Sequence, residues 1–251
     1  MKKYRFLLFA TLIISVSTLI AQPDSTSTKL NNPLSINLDI MSRYVWRGTD
    51  YGGSPSIQPG ISYSLAGFTI GTWGAYTTNN PGIQEVDLYL SYSLKDVISL
   101  TVTDYFFPDE NSNYNYFDYG DIRTGHVLEG SVSFNGTDKL PLTALIATNF
   151  YGNDARRINN NDSLGGIQYS TYAEISYSFK YFNIFMGANL TNPDTDKGET
   201  GYYGNSIGIV NLGISTSKKI KITDKFSLPV TASLITNPQA EKIYLVAGFS
   251  F

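Results

Sequence analysis

The chain has 251 residues, no cysteine and a single histidine, His126. This removes disulfides, thiolate metal sites, a cysteine nucleophile and His-rich zinc sites together. Charged residues make up only 16% while Tyr and Phe number 19 and 14, a balance suited to a lipid-facing belt. A mean hydropathy of -0.12 argues against a helical membrane protein but not against a β-barrel, whose strands are apolar on one face only.

Residues 1–21 have the pattern of a signal peptide. Lys2, Lys3 and Arg5 precede the apolar run Phe6–Ile14, and Ala21 is the expected cleavage point, with a cut near Ser17 as the alternative. A membrane anchor is the competing reading, but the run is short for a span of about 20 residues. Removing residues 1–21 leaves 15 basic against 21 acidic residues, an acidity that argues against nucleic acid as a partner. Residues 22–33 are rich in Ser, Thr, Asn and Pro and read as a flexible lead-in, and residues 34–251 as one folded unit.

From Leu34 onward the chain alternates with a period of two. In the first predicted strand, residues 34–47, Leu34, Ile36, Leu38, Ile40, Tyr44 and Trp46 share one parity, and Ser35, Asn37, Asp39, Met41, Arg43 and Arg47 the other. A run of this length is long beside the usual strand of about five or six residues. Further strands are predicted at 55–65, 68–77, 84–94, 97–107, 122–134, 140–151, 167–179, 182–190, 204–216, 226–235 and 242–251. In the fourth, Val86, Leu88, Leu90 and Tyr92 alternate with Glu85, Asp87, Tyr89 and Ser91. In the eighth, Ala173, Ile175 and Tyr177 alternate with Tyr172, Glu174 and Ser176.

The connections have a rhythm. Short turns at Ala66-Gly67, Lys95-Asp96, 135–139 and Lys180-Tyr181 alternate with long polar loops at 108–121, 152–166 and 191–203. The connection 217–225 breaks that rhythm, being nine residues where a short turn is expected. An even strand number with short turns at one end and long loops at the other is the pattern of a transmembrane antiparallel up-and-down β-barrel, here with twelve strands. A soluble sandwich has no reason to alternate its loop lengths so strictly.

The segments Ser42–Gly48 (SRYVWRG), Pro55–Gly60 (PSIQPG) and Gly67–Ala75 (GFTIGTWGA) resemble the start of the TorF-type porins, the Gcw_chp family. The resemblance is clearest over residues 35–107 and looser through Tyr172-Ala173-Glu174 and the terminal strand. It implies a bacterial outer-membrane barrel and a channel, with no catalytic motif and little said of the solute; passage of small hydrophilic solutes without a cofactor is the expected function. Resemblance to outer-membrane proteins also implies that the terminal Phe251 addresses the barrel-assembly machinery, and that outer-membrane lipid and lipopolysaccharide surround the barrel.

On the inward parity, Asp39, Arg43, Arg47, Glu85, Asp87, Glu129 and Glu174 are the candidate pore-lining residues. Arg43 and Arg47 would stand as a cationic ladder along the wall, with Glu129 and Glu174 the carboxylates expected opposite them. Such a lumen either selects solutes by charge or is filled by its own salt-bridge network, since twelve strands fall between plugged eight-stranded barrels and open sixteen-stranded ones. An adhesion scaffold is therefore an alternative. A surface hydrolase using His126 is another, although His126 is expected on the lipid side and no serine has a nucleophile context. Asp194–Glu199 only faintly resembles a calcium loop, because the fifth-position ligand is missing and Lys197 opposes binding. It reads as an exposed loop, as does Asn159–Asp162.

Overall fold

The computed structural model describes residues 32–108, 115–120 and 124–251. The expected signal peptide and all of the lead-in except Asn32 and Pro33 lie outside these residues. In chain order the strands are β1 (Leu34–Met41), β2 (Val45–Trp46), β3 (Thr49–Asp50), β4 (Ser56–Leu65), β5 (Phe68–Thr77), β6 (Gln84–Leu94), β7 (Ile98–Phe106) and β8 (His126–Phe134). They continue as β9 (Leu142–Gly152), β10 (Arg156–Ile158), β11 (Leu164–Ile167), β12 (Thr171–Ser178), β13 (Asn183–Asn189), β14 (Gly208–Lys221), β15 (Ser227–Asn237) and β16 (Lys242–Ser250). A single 3-10 turn at Thr195–Lys197 is the one helical element among the described residues.

Twelve of these strands form a closed antiparallel barrel in the order β1-β16-β15-β14-β13-β12-β9-β8-β7-β6-β5-β4. The pairs β2–β3 and β10–β11 are separate two-stranded ribbons within loops. Closure rests on a short seam: only Asp39–Met41 pair with Ser250–Gly248, and Leu38 and Phe251 exchange two further backbone bonds of 3.3 and 3.0 Å. Closure gives every barrel strand a neighbour on both sides, as a barrel in hydrocarbon requires because no water is there to satisfy a free edge.

The period of two becomes two opposite surfaces. Outward residues such as Ile36, Leu65, Leu100, Leu234 and Leu245 are exposed and form an apolar band around the barrel. Among the described residues, buried polar and charged side chains outnumber buried apolar ones, the reverse of a water-soluble core. Hydroxyls line much of the interior toward the short-turn end, with Thr101 bonded to Ser91 at 3.2 Å and Ser64 to Thr69 at 2.9 Å.

The turns follow their residues. Ala66-Gly67 and Lys95-Asp96 all carry positive φ, from 52° to 85°, the mirror-image geometry that matches the twist of a two-residue hairpin. The broken rhythm is repaired by longer strands: β14 runs on to Lys221 and β15 begins at Ser227, which leaves a turn of residues 222–226. The first predicted strand is instead too long. β1 ends at Met41, and the chain from Arg43 to Pro55 leaves the wall. Ser42 marks the departure point. Its backbone N–H donates to the Ala247 carbonyl at 2.7 Å, and its hydroxyl accepts from the Ala247 N–H at 2.9 Å.

Candidate functional site

The segment that leaves the wall folds into the lumen at the long-loop end. Tyr44, which shares the parity of the apolar Leu34, Ile36, Leu38 and Ile40, is buried inside and its hydroxyl donates to Glu85. β2 and β3 pair as a small hairpin whose turn is Arg47-Gly48, with φ of 48° and 80°. Glycine is required at the second of these positions. A Cβ on Gly48 would lie 1.9 Å from the Val210 carbonyl oxygen of β14, so the hairpin tip meets the wall backbone to backbone. Asn237 donates to the Gly48 carbonyl at 3.2 Å and holds the tip there.

The tip places Arg47 in an aromatic enclosure. Its guanidinium carbon lies 4.3 Å from the Trp46 ring centroid, 4.7 Å from Tyr172 and 5.2 Å from Tyr203, within cation–π range of each. Arg47 donates from both terminal nitrogens to the two oxygens of Glu129, Nη2 to Oε1 at 2.9 Å, and Nη1 also donates to the Tyr203 hydroxyl at 2.6 Å. Glu129 accepts two further bonds, from Tyr203 at 2.9 Å and Tyr105 at 3.1 Å. The fork of the guanidinium matches the carboxylate, and the phenols satisfy the remaining lone pairs, which is the condition for burying such a pair without large cost.

The seven residues expected to line the lumen occupy different settings. Arg47 meets Glu129, the expected partner. Arg43 does not form a ladder with it. Instead Arg43 lies 40% exposed and pairs with Asp50 of the same hairpin. Glu174 accepts from Tyr172 and from Asn211 at 2.8 Å and pairs with no arginine among the described residues, although Tyr172 lies under Arg47. Glu85 and Asp87 are buried on the inward face of β6. Asp39 sits at the seam, opposite Ser250 on one side and Gln58 on the other.

Sequence reasoning missed Tyr105, Tyr203 and Asn211, which complete the network. Tyr202-Tyr203 within a polar loop was a visible signal, since paired aromatics in a long loop need somewhere to bury. The loop's entry into the lumen joins it to Trp46, at 5.9 Å between the Tyr203 and Trp46 rings.

His126 also differs from expectation. It keeps its outward parity, but loop residues 115–120 fold over the outside of the barrel and bury it completely. Nδ1 faces Asp104 at 2.7 Å, Nε2 faces the Tyr116 carbonyl at 2.7 Å, and the Tyr119 ring stacks 4.0 Å away while its hydroxyl donates to Asp104 at 2.9 Å. Both ring nitrogens are engaged by the covering loop and its anchor, so His126 pins a loop where lipid was expected.

Comparison with known proteins adds the following. Residues 22–137 match the Gcw_chp family model. Its description reads "Bacterial protein of unknown function", and the match agrees with the resemblance carried by Ser42–Gly48 and Gly67–Ala75. The Gcw_chp segment contains Arg47, Glu85, Asp87 and Glu129, whereas Tyr172, Glu174 and Tyr203 lie beyond it. No curated protein sequence matches the chain.

Among solved structures, a KdgM porin is 13% identical with a TM-score of 0.45, the match covering 86% of this chain and 98% of that one. A mutant Rh. blastica porin is 11% identical with a TM-score of 0.38, covering 78% of this chain and 55% of that one. BamA from Haemophilus ducreyi lacking POTRA domains 1-3 is 15% identical with a TM-score of 0.41, covering 81% of this chain and 41% of that one. Similarity at this level leaves the site to be argued from its own residues.

Proposed function

We propose that the chain is a porin-like channel of a bacterial outer membrane, passing small hydrophilic solutes through a charged lumen constricted by the inward-folded β2–β3 hairpin. The observation that carries this reading is the inverted surface of a closed barrel, apolar outside and lined inside by hydroxyls and carboxylates. Export through the signal peptide, surrounding phospholipid and lipopolysaccharide, and assembly through the strand ending at Phe251 belong to the same reading.

The charge of the lumen differs from the expected cationic ladder. Arg43 and Arg47 are each held by a carboxylate, while Glu85, Asp87 and Glu174 have no cationic partner among the described residues. The constriction is therefore net acidic and favours cationic over anionic solutes. Planar-bilayer recording of refolded protein tests the proposal. Discrete conductance steps are expected, with a reversal potential across a salt gradient whose sign reports cation preference. Folded, heat-modifiable protein that gives no conductance would show the lumen to be a filled scaffold.

A further inference from the structure

Glu85 and Asp87 are successive inward residues of β6, about 7 Å apart along the strand, and both are at least 98% buried. Both side chains project inward from the same face of that strand. Glu85 accepts one bond, from Tyr44, while neither oxygen of Asp87 has a donor partner. No Lys, Arg or His among the described residues lies within ion-pair distance of either group. Two ionised carboxylates side by side in a buried site repel, and each is cut off from bulk water, so a positive species must stand between them.

We propose that Glu85 and Asp87 hold a hard divalent cation of calcium's size, bridging the wall of the barrel and the β2–β3 hairpin. Charge decides between a cation and a shared proton. On the inward face Glu85, Asp87 and Glu129 are buried and Glu174 is half-buried, against one buried guanidinium, Arg47, which is paired with Glu129. A proton removes one of the excess charges and a divalent ion removes two. The donor set is all oxygen, as such an ion requires: both Asp87 oxygens, Glu85 and the Tyr44 hydroxyl. Among the described residues no three His, Cys, Asp or Glu side chains converge, so water completes the coordination shell.

The consequence is structural as well as electrostatic. Tyr44 belongs to the segment that leaves the wall, and it stacks on Tyr51 of the returning arm at 5.2 Å. An ion at Glu85 and Asp87 fastens that segment to β6, on the opposite side from the Gly48 contact with β14. The site stands whether or not the lumen conducts.

Terbium is the probe, because Trp73 is the cross-strand partner of Asp87 and lies 5.6 Å from the Tyr44 ring, close enough to sensitise its luminescence. Refolded full-length protein in detergent should give saturable terbium luminescence that calcium displaces. Asp87→Asn and Glu85→Gln should each weaken the binding at least tenfold while keeping heat-modifiable mobility, and Asp196→Asn in an exposed loop should not. Calcium should also raise the melting temperature of the unsubstituted protein above its value in EDTA, a measurement that needs no variant. The same titration in both folded variants as in the unsubstituted protein would overturn the site, as would a melting temperature unaffected by calcium, and the pair would then share a proton.

Discussion

At the scale of single residues, the two arginines of the SRYVWRG segment separate structural burial from surface pairing. Arg47 is 9% exposed and bound to Glu129, itself 2% exposed. Arg47→Ala leaves that carboxylate buried with only phenolic donors, and should cost about 3–5 kcal/mol of stability. Arg43→Ala removes a pair whose arginine is 40% exposed, and should cost no more than about 1 kcal/mol. Urea unfolding of the refolded barrel in lipid vesicles measures both. Equal losses for the two would mean that Arg47 is not buried as described. Gly48 belongs to the same argument. Gly48→Ala drives a methyl into the Val210 carbonyl and should displace the hairpin tip, read as a change in the fluorescence of Trp46.

At the scale of elements, the loops are structural parts with their own anchors. Glu199 fastens the β10–β11 ribbon to the loop that carries Tyr203. It accepts from the backbone N–H groups of Asp194 and Ile158, both at 2.8 Å, and from Arg157 at 2.9 Å. Those two backbone donors, with Arg157, hold its carboxyl down to about 2 from an ordinary 4.5. A depressed carboxylate contributes stability in full above its unfolded pKa, and loses it as pH falls through the folded one. Amide exchange at Ile158 and Asp194, corrected for its intrinsic pH dependence, should therefore stay slow at pH 5 and rise as pH approaches 2. In Glu199→Gln it should be fast at both. A wild-type clamp that opens near pH 4 would contradict the assignment.

The β2–β3 hairpin is the element on which the channel reading turns. Replacing residues 44–53 by a short Gly-Ser link removes Tyr44, Trp46, Arg47 and Tyr51 from the lumen. The barrel wall, whose strand-to-strand backbone hydrogen bonds do not involve those residues, should persist. Single-channel conductance should rise and cation preference should change. A folded barrel with unchanged conductance would place the constriction elsewhere.

At the scale of the whole molecule, closure is the weak point. All eleven remaining pairings along the barrel run for seven or more residue pairs, as in β14–β15 from Leu212 to Lys221, whereas the β1–β16 seam has three. The backbone of Phe251 adds two bonds to Leu38, so the last residue supplies a large share of the seam. Deleting Phe251 should lower the temperature at which heat-modifiable mobility is lost more than deleting a turn residue such as Lys225 does. An equal effect would show the seam to be held by the outward Phe249 and its neighbours instead.

The alternation of apolar and polar residues, which depends only on the pleat of a strand, together with the rhythm of short turns and long loops, made the twelve-stranded barrel legible in the sequence. The two-residue turns were legible for the same reason: their chemistry is local. Side-chain parity also put Glu85, Asp87, Glu129 and Glu174 on the inward face. It failed at Tyr44, Trp46 and His126, where the residues keep the period of two but the chain's surroundings change. Tyr44 and Trp46 lie beyond the point at which Ser42 turns to Ala247, so their alternation continues on a hairpin inside the lumen. His126 stays on the outer face, and a loop from elsewhere in the chain covers it. The partner of each buried charge was decided only in three dimensions. Arg47 and Glu129 are 82 positions apart, and their meeting depends on where the barrel's curvature brings β8 relative to a loop leaving β1, which no local pattern encodes.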